Sequence, residues 1–231
     1  MNVIGLLGGM SWESTVEYYR IINQEVRRRL GGQHSARILM YSVDFEEIDR
    51  LQIDDEWDRA GQLLGTAAKR LERGGADFIL MCTNTMHKVA SAVQDAVRIP
   101  LIHIADALAE RIKAQKLTRV GLLGTRFTME EDFYKGRLST LHGLEVFVPG
   151  TADREIVDRV IYGELCQGQM LAESRREYVR IIEALAGQGA DGVILGCTEI
   201  GLLIKPDDSP LPVFDTARIH AEAGVDRAID S

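Results

Sequence analysis

The sequence lacks the features that mark membrane, secreted and nucleic-acid-binding proteins. No stretch approaches the roughly 20 apolar residues of a membrane-spanning helix, and the N-terminus MNVIGLLGGMSW has neither the basic region nor the long apolar segment of a secretory signal. No lysine and arginine cluster lies beside interleaved aromatic residues, and the formal net charge is -8. These absences predict a cytoplasmic protein with no membrane partner and no nucleic-acid partner.

Cysteine is scarce, and its pattern excludes two kinds of site. The chain has 3 cysteines, an odd number without a signal peptide, which predicts free thiols rather than a disulfide framework. Cys82 with His87, and Cys197 alone, have no recognisable zinc-ligand spacing, so no metal site is predicted. Cys166 falls at helical spacing with apolar residues, which indicates a half-buried structural thiol.

The glycine-rich turn GLLGG near the N-terminus lacks the spacing of a dinucleotide fingerprint and of a lysine-bearing phosphate loop. It is therefore interpreted as a tight turn between a strand and a helix. Its later counterpart, GLLGTRFT, carries Thr125 in the same place. Both turns could present backbone N–H groups and hydroxyls to an anion.

The second half of the chain repeats the first. IGLLGGMS matches VGLLGTRFT, GADFILMCTNT matches GADGVILGCTEI, and IPLIHIADA matches LPVFDTARI, in the same order and about 115 residues apart. Within each copy, short apolar runs alternate with longer stretches of helical periodicity, which predicts a parallel sheet covered on both faces. Early strands are expected at 3–7, 38–43, 78–81 and 101–104, and helices at 14–30 and 56–73. The predicted fold class is α/β, with two pseudo-symmetric lobes, each a parallel sheet flanked by helices.

The third match lies at the C-terminus, which suggests that the first lobe takes back the end of the chain. We expect residues 1–108 plus 211–231 in the first lobe and residues 109–210 in the second. The active site is expected in the cleft between them, because ligands of doubly wound sheets bind beyond the carboxyl ends of the strands.

The repeat pairs Thr83, not Cys82, with Cys197. Gly75 aligns with Gly189, so Cys82 aligns with Gly196 and Thr83 with Cys197. Side chains alternate across a strand, so a shift of one residue moves a group to the other face. Cys82 is therefore expected to face the packed side. A bulge of one residue that would bring Cys82 into line is the alternative.

Cys197 lies where a strand should give way to a helix, and Thr198 and Glu199 follow it. Buried cysteines are often inert, but this one has a partner position in the repeat and a place at a ligand-facing edge. A helix N-terminus lowers the pKa of a neighbouring thiol. We therefore expect a thiolate at Cys197 near neutral pH.

These motifs resemble the cofactor-independent aspartate/glutamate racemases, two-lobed α/β enzymes in which two cysteines flank the substrate α-carbon. GLLGGMSWEST, CTNTMH, GLLGTRFTM and GCTEIGLL carry the resemblance through nearly the whole chain. The match is closest to enterobacterial racemases specific for L-aspartate and L-glutamate, which also have threonine at the first position. The resemblance implies an isomerase with no cofactor, acting as a homodimer on a small amino acid.

The resemblance also implies roles for individual residues. Cys197 as thiolate would take the α-proton of the L-amino acid, and Thr83 would serve the opposite face. A hydroxyl is a weaker acid and base than a thiol, so L-substrates are expected to turn over better than D-substrates. The implied substrate-binding residues are Met10, Gln52, Asn84, Thr85, Thr125, Thr198 and Glu199.

Three alternatives remain open at this point. Aspartate racemases usually carry basic residues near the positions of Gln52 and Cys166, so their absence here admits neutral substrates such as homoserine. Arylmalonate decarboxylases of the same superfamily use one cysteine in the second lobe to protonate an enediolate. Two-lobed α/β proteins also serve as non-catalytic amino acid binding modules.

Overall fold

A computed structural model describes residues 1–229, in which strands and helices alternate along the chain. The strands are β1 Ile4–Gly8, β2 Ile38–Ser42, β3 Phe78–Met81, β4 Leu101–Ile102, β5 Arg119–Gly124, β6 Glu145–Phe147, β7 Gly192–Gly196 and β8 Val213–Asp215. The helices are α1 Trp12–Leu30, α2 Phe45–Ile53, α3 Trp57–Gly74, α4 Ala90–Ala96, α5 Ile104–Ala114, α6 Arg126–Glu130, α7 Lys135–Thr140, α8 Thr151–Gly163, α9 Ala172–Gly187, α10 Ile200–Leu203 and α11 Thr216–Ile229. Short 3-10 helices cover Thr85–Val89, Leu165–Gln167 and Pro206–Asp208.

The two sheets have the same strand order. One sheet runs β2-β1-β3-β4 and the other β6-β5-β7-β8, and every pairing is parallel. Helical crossovers of this kind connect parallel strands and cover the faces of the sheet. The predicted fold class, two similar α/β lobes, is confirmed.

The chain divides into two compact units. The first holds Met1–Ile104 and the chain from Ala217 onward, and the second holds Ala105–Thr216. The expected divisions were at 108/109 and 210/211. The second division lies later because β8 pairs with β7, through Val193 and Val213, so this strand belongs to the second sheet and only the helix that follows it belongs to the first unit.

The first sheet has a packed apolar cluster on each face. Phe78, Leu80 and Cys82 lie in the cluster that includes residues of α1 and α11. Ile79 and Met81 lie in the cluster built with α2, α3 and α4. The alternation is the ordinary two-residue period of a strand, and it continues one residue beyond β3 to Cys82.

Glycines end the two long helices of the first unit as the sequence predicts. Gly31 follows α1 with φ 73°, and Gly75 follows α3 in the left-handed conformation with φ 97°, where a residue without Cβ is favoured. The start of α1 is at Trp12 rather than at residue 14, because the Ser11 side chain accepts a hydrogen bond from the Ser14 N–H and caps the helix. No helix in residues 1–229 is long and apolar enough to cross a membrane.

Candidate active site

The ends of β3 and β7 are equivalent positions in the two sheets. Leu7 of β1 pairs with Met81 of β3, and Leu123 of β5 pairs with Leu195 of β7. Counting two residues beyond each pair leads to Thr83 in the first unit and to Cys197 in the second. The strand register therefore gives the same equivalence as the sequence repeat, without the bulge considered as an alternative.

Thr83 begins a buried polar turn at the end of β3. Its N–H donates to the Met81 carbonyl at 2.9 Å, and its own carbonyl accepts from the Nδ1 of His87 at 2.8 Å. Asn84 and Thr85, which follow, are also buried. Within residues 1–229 the hydrogen bonds of Thr83 run through its backbone, and its hydroxyl makes none.

Cys82 lies on the packed side of its strand. Its side chain is fully buried in the apolar cluster with α1 and α11, and its Sγ lies 3.8 Å from the Leu80 carbonyl oxygen. Burial raises the pKa of the Cys82 thiol far above its ordinary value. This thiol is enclosed within the apolar cluster on the packed face of the sheet, where a substrate cannot reach it.

The turn after β1 lies beside the Thr83 turn, because β1 and β3 are neighbours in the sheet. The Gly9 N–H donates to the Thr15 hydroxyl at 2.9 Å, and a Cβ on Gly8 would lie 2.4 Å from the Thr15 side chain. The glycines thus make the tight turn expected from the sequence. Met10, buried in this turn, is brought to the same edge of the sheet as Thr83.

Gln52 lies on the inner face of α2, one turn after Ile48. Both side chains are buried. The Oε1 of Gln52 has no hydrogen-bond partner in the part of the chain that the structure describes. A buried acceptor without a donor is costly, and this oxygen is therefore a candidate contact for a ligand.

In the second unit, Cys197 is hydrogen-bonded to a carboxylate. Its Sγ donates to the Oε2 of Glu199 at 3.0 Å, and the Thr198 hydroxyl donates to the same oxygen at 2.7 Å. All three side chains are buried. The thiol proton is thus already directed at a group able to accept it.

The expectation of a lowered thiol pKa at Cys197 is wrong. Burial raises the pKa of Cys197 well above its ordinary value, and the charge of Glu199 raises it further. The helix that follows, α10, spans only four residues, Ile200–Leu203, and the dipole of so short a helix is small. Burial, with the Glu199 charge as the second cause, therefore outweighs the helix end.

The turn after β5 mirrors the turn after β1. The Thr125 side chain accepts from the Thr128 N–H at 3.4 Å and caps α6, and its hydroxyl lies 3.2 Å from that of Thr128. Since β5 and β7 are neighbours in the second sheet, Thr125 lies at the same sheet edge as Cys197. Cys166 lies in the 3-10 helix Leu165–Gln167 and is partly exposed.

Each unit thus brings its own predicted residues to the carboxyl edge of its own sheet, apart from Gln52 on α2. No group of three or more potential metal ligands is present in residues 1–229. The model of the Asp/Glu/Hydantoin racemase family matches residues 7–224. The chain belongs to this racemase family.

Solved structures and a curated relative resemble this racemase over nearly their full length. The crystal structure of a candidate Asp/Glu racemase from Yersinia pestis is 55% identical, with a TM-score of 0.93 over 99% of this chain and 100% of that one. An aspartate racemase homologue from Pyrococcus horikoshii is 38% identical, with a TM-score of 0.84 over 99% of both chains. The broad specificity amino-acid racemase RacX of Bacillus subtilis is 25% identical over 96% of both chains. The protein is accordingly an isomerase of the racemase class.

The sequence pattern considers His87 only as a zinc ligand and does not indicate its contacts at this turn. Its ring links the carbonyl of Thr83 to the N–H of Ile104. The signal was the position of a histidine four residues after Thr83, where a short helical turn brings its ring back to the Thr83 carbonyl.

Proposed function

We propose that this racemase interconverts L- and D-aspartate and L- and D-glutamate without pyridoxal phosphate, through Cys197 on one face of the α-carbon and Thr83 on the other. The observation that carries the proposal is the hydrogen bond from the Cys197 thiol to the buried Glu199 carboxylate. This hydrogen bond gives the thiol a proton acceptor, which a racemase without a cofactor needs in order to form a thiolate. The thiol lies at the strand end equivalent to that of Thr83.

Transfer of the thiol proton to Glu199 forms the thiolate without changing the net charge of the buried pair. The S–H bond breaks and an O–H bond forms on the carboxylate, so one negative charge moves from oxygen to sulfur. A raised thiol pKa has a chemical advantage here, because a more basic thiolate is the stronger acceptor of a weakly acidic α-proton. The thiolate then takes the α-proton of the L-substrate, and the electron pair moves toward the α-carboxylate.

Reprotonation on the other face comes from the Thr83 hydroxyl or from a water molecule beside it. A hydroxyl is a poor base toward the D-isomer, so removal of the D α-proton is slower than removal of the L α-proton. Because the equilibrium constant of a racemisation is one, kcat/KM is equal in the two directions. The asymmetry therefore lies in kcat, with KM compensating, and L-substrates have the higher kcat.

The α-carboxylate gains negative charge in the transition state and needs hydrogen-bond donors. We assign this role to the polar side chains that follow the strands, with the neighbouring backbone N–H groups. They are Asn84, Thr85, Thr125 and Thr198. Met10 supplies an apolar wall at the sheet edge of the first unit.

Gln52 favours a second candidate substrate. Its buried Oε1, without a partner in residues 1–229, is an acceptor and suits a side chain that donates a hydrogen bond, such as the hydroxyl of homoserine. A carboxylate side chain offers no such donor. A faster α-proton exchange with L-homoserine than with L-glutamate, reversed in the Gln52→Arg variant, would favour this candidate.

The test is solvent exchange in D2O, with L-aspartate and L-glutamate as substrates. Loss of the α-proton is followed by proton NMR, and the D-isomer by chiral chromatography. We expect Cys197→Ala to lose both signals by about 1,000-fold, and Thr83→Ala to keep exchange into the L-isomer but lose D-isomer formation by about 100-fold. No α-proton exchange with any amino acid in the wild-type enzyme would refute the proposed function, and equal kcat values for the L- and D-isomers would refute the assignment of Thr83.

A further inference from the structure

The ring of His87 joins two backbone groups inside the first unit. Its Nδ1 lies 2.8 Å from the carbonyl oxygen of Thr83, and its Nε2 accepts from the Ile104 N–H at 3.2 Å. A backbone N–H is a donor only, so Nε2 carries no proton. The proton lies on Nδ1 and is donated to Thr83, which makes His87 a neutral imidazole in one defined tautomer.

A second histidine, His220, binds the backbone at the end of β4, close to the Ile104 N–H that His87 contacts. The Nε2 of His220 donates to the Ile102 carbonyl at 2.9 Å, and its Nδ1 accepts from the Tyr18 hydroxyl at 2.8 Å. Burial lowers the pKa of His220 to about 4. The short segment after β4 is therefore hydrogen-bonded on both sides of His103.

Two imidazole rings face His87 and neither offers it a negative charge. The ring of His103 lies 4.6 Å away between centroids and that of His220 lies 5.8 Å away, both edge to face. His87 itself is buried. Adding a proton to Nε2 would set a ring N–H against the Ile104 N–H, so this packing favours the neutral form of the ring.

We infer that His87 is a positioning residue for Thr83: it fixes the turn that carries the hydroxyl by tying the Thr83 carbonyl to the start of α5. The inference rests on the proposed function, in which Thr83 serves one face of the α-carbon. A displacement of about 1 Å in a reacting group lowers a rate by up to about 100-fold. Loss of His87 should therefore impair inversion more than it impairs proton removal by Cys197.

The test compares two reactions of the same L-glutamate sample in D2O. One is incorporation of deuterium with retention of configuration, which needs Cys197, and the other is formation of the D-isomer, which also needs Thr83. We expect His87→Leu to lower the ratio of inversion to retention by about 10-fold, with the retention rate within about two-fold of wild type. His87→Asn, which keeps a donor near the Nδ1 position, should restore most of the ratio.

General damage to the fold would lower the inversion rate and the retention rate by the same factor, so their ratio would not change. An unchanged ratio in His87→Leu would overturn the inference and leave the proposed function intact. Absence of any exchange in the wild type would instead refute the proposed function, and this inference with it. If His87→Leu fails to fold, nitrogen-15 NMR of the wild-type imidazoles decides. A proton on Nδ1 of His87 at pH 7 is expected, and a proton on Nε2 would overturn the inference.

Discussion

At the end of β3 lies the Thr83 hydroxyl, and a neutral imidazole is hydrogen-bonded to the backbone there. At the equivalent end of β7, the Cys197 thiol donates to a buried carboxylate. The difference extends one turn further along the chain. Gly201 stands where the repeat places His87, and a Cβ on Gly201 would lie 2.7 Å from the Asp215 carboxylate. The duplicated backbone is thus kept while the chemistry of the two ends has diverged.

This divergence suits a reaction with an acid on one side and a base on the other. Two groups in different environments take different protonation states at one pH. The carboxylate beside Cys197 prepares a base, and the Thr83 hydroxyl stays protonated near neutral pH because it is a much weaker acid than a thiol. Each variant below changes one end and leaves the other as a reference.

The largest effect is expected from Glu199→Gln, which removes the proton acceptor beside Cys197. Racemisation should fall by about 100-fold, because the amide cannot hold the thiol proton during turnover and a thiolate of lower pKa is a weaker base toward the α-proton. Alkylation of Cys197 by iodoacetamide at pH 8 should rise, because Glu199 raises the pKa of the thiol and its neutralisation lowers that pKa. The midpoint of alkylation rate against pH, measured by mass spectrometry, should therefore move down.

Glu183→Gln, at an exposed position of α9 in the same unit, is the matched control and should change neither rate. A parallel fall in racemisation and alkylation in Glu199→Gln would mean that Glu199 supports the fold of this turn rather than the ionisation of Cys197.

A smaller effect, a gain in rate rather than a loss, is expected from Thr83→Cys. A thiol at this position makes the two ends chemically alike, and it should accelerate exchange of the D-glutamate α-proton by about 10-fold. Exchange of the L α-proton, which depends on Cys197, should change much less. NMR in D2O with each isomer measures the two rates separately, and an unchanged D rate would argue against Thr83 as the group on that face.

The equivalence of the two ends could be predicted from sequence because it depends only on strand register. The alignment of the two repeat copies pairs Thr83 with Cys197. The strand register gives the same result, through the pairing of Leu7 with Met81 and of Leu123 with Leu195. The alternation of side chains also placed Cys82 on the packed face, where it lies.

Other properties depend on contacts that a repeat does not contain. The pKa of Cys197 follows from burial and from the direction of the Glu199 side chain, and the prediction considered only a helix end. His87 acquires its role from two backbone groups, one of them 17 positions further along the chain.

The smallest effect is expected from Cys82→Ala, which tests the register itself. The repeat aligns Gly196 with Cys82. A Cβ on Gly196 would lie 2.8 Å from the Leu122 side chain, so the second unit has no room for a side chain at the position where the first unit buries a thiol. Removing that thiol should lower the free energy of unfolding by about 1 kcal/mol, measured by urea titration, and leave both exchange rates within about two-fold of wild type. Loss of exchange in a folded Cys82→Ala protein would mean that Cys82, and not Thr83, reaches the substrate.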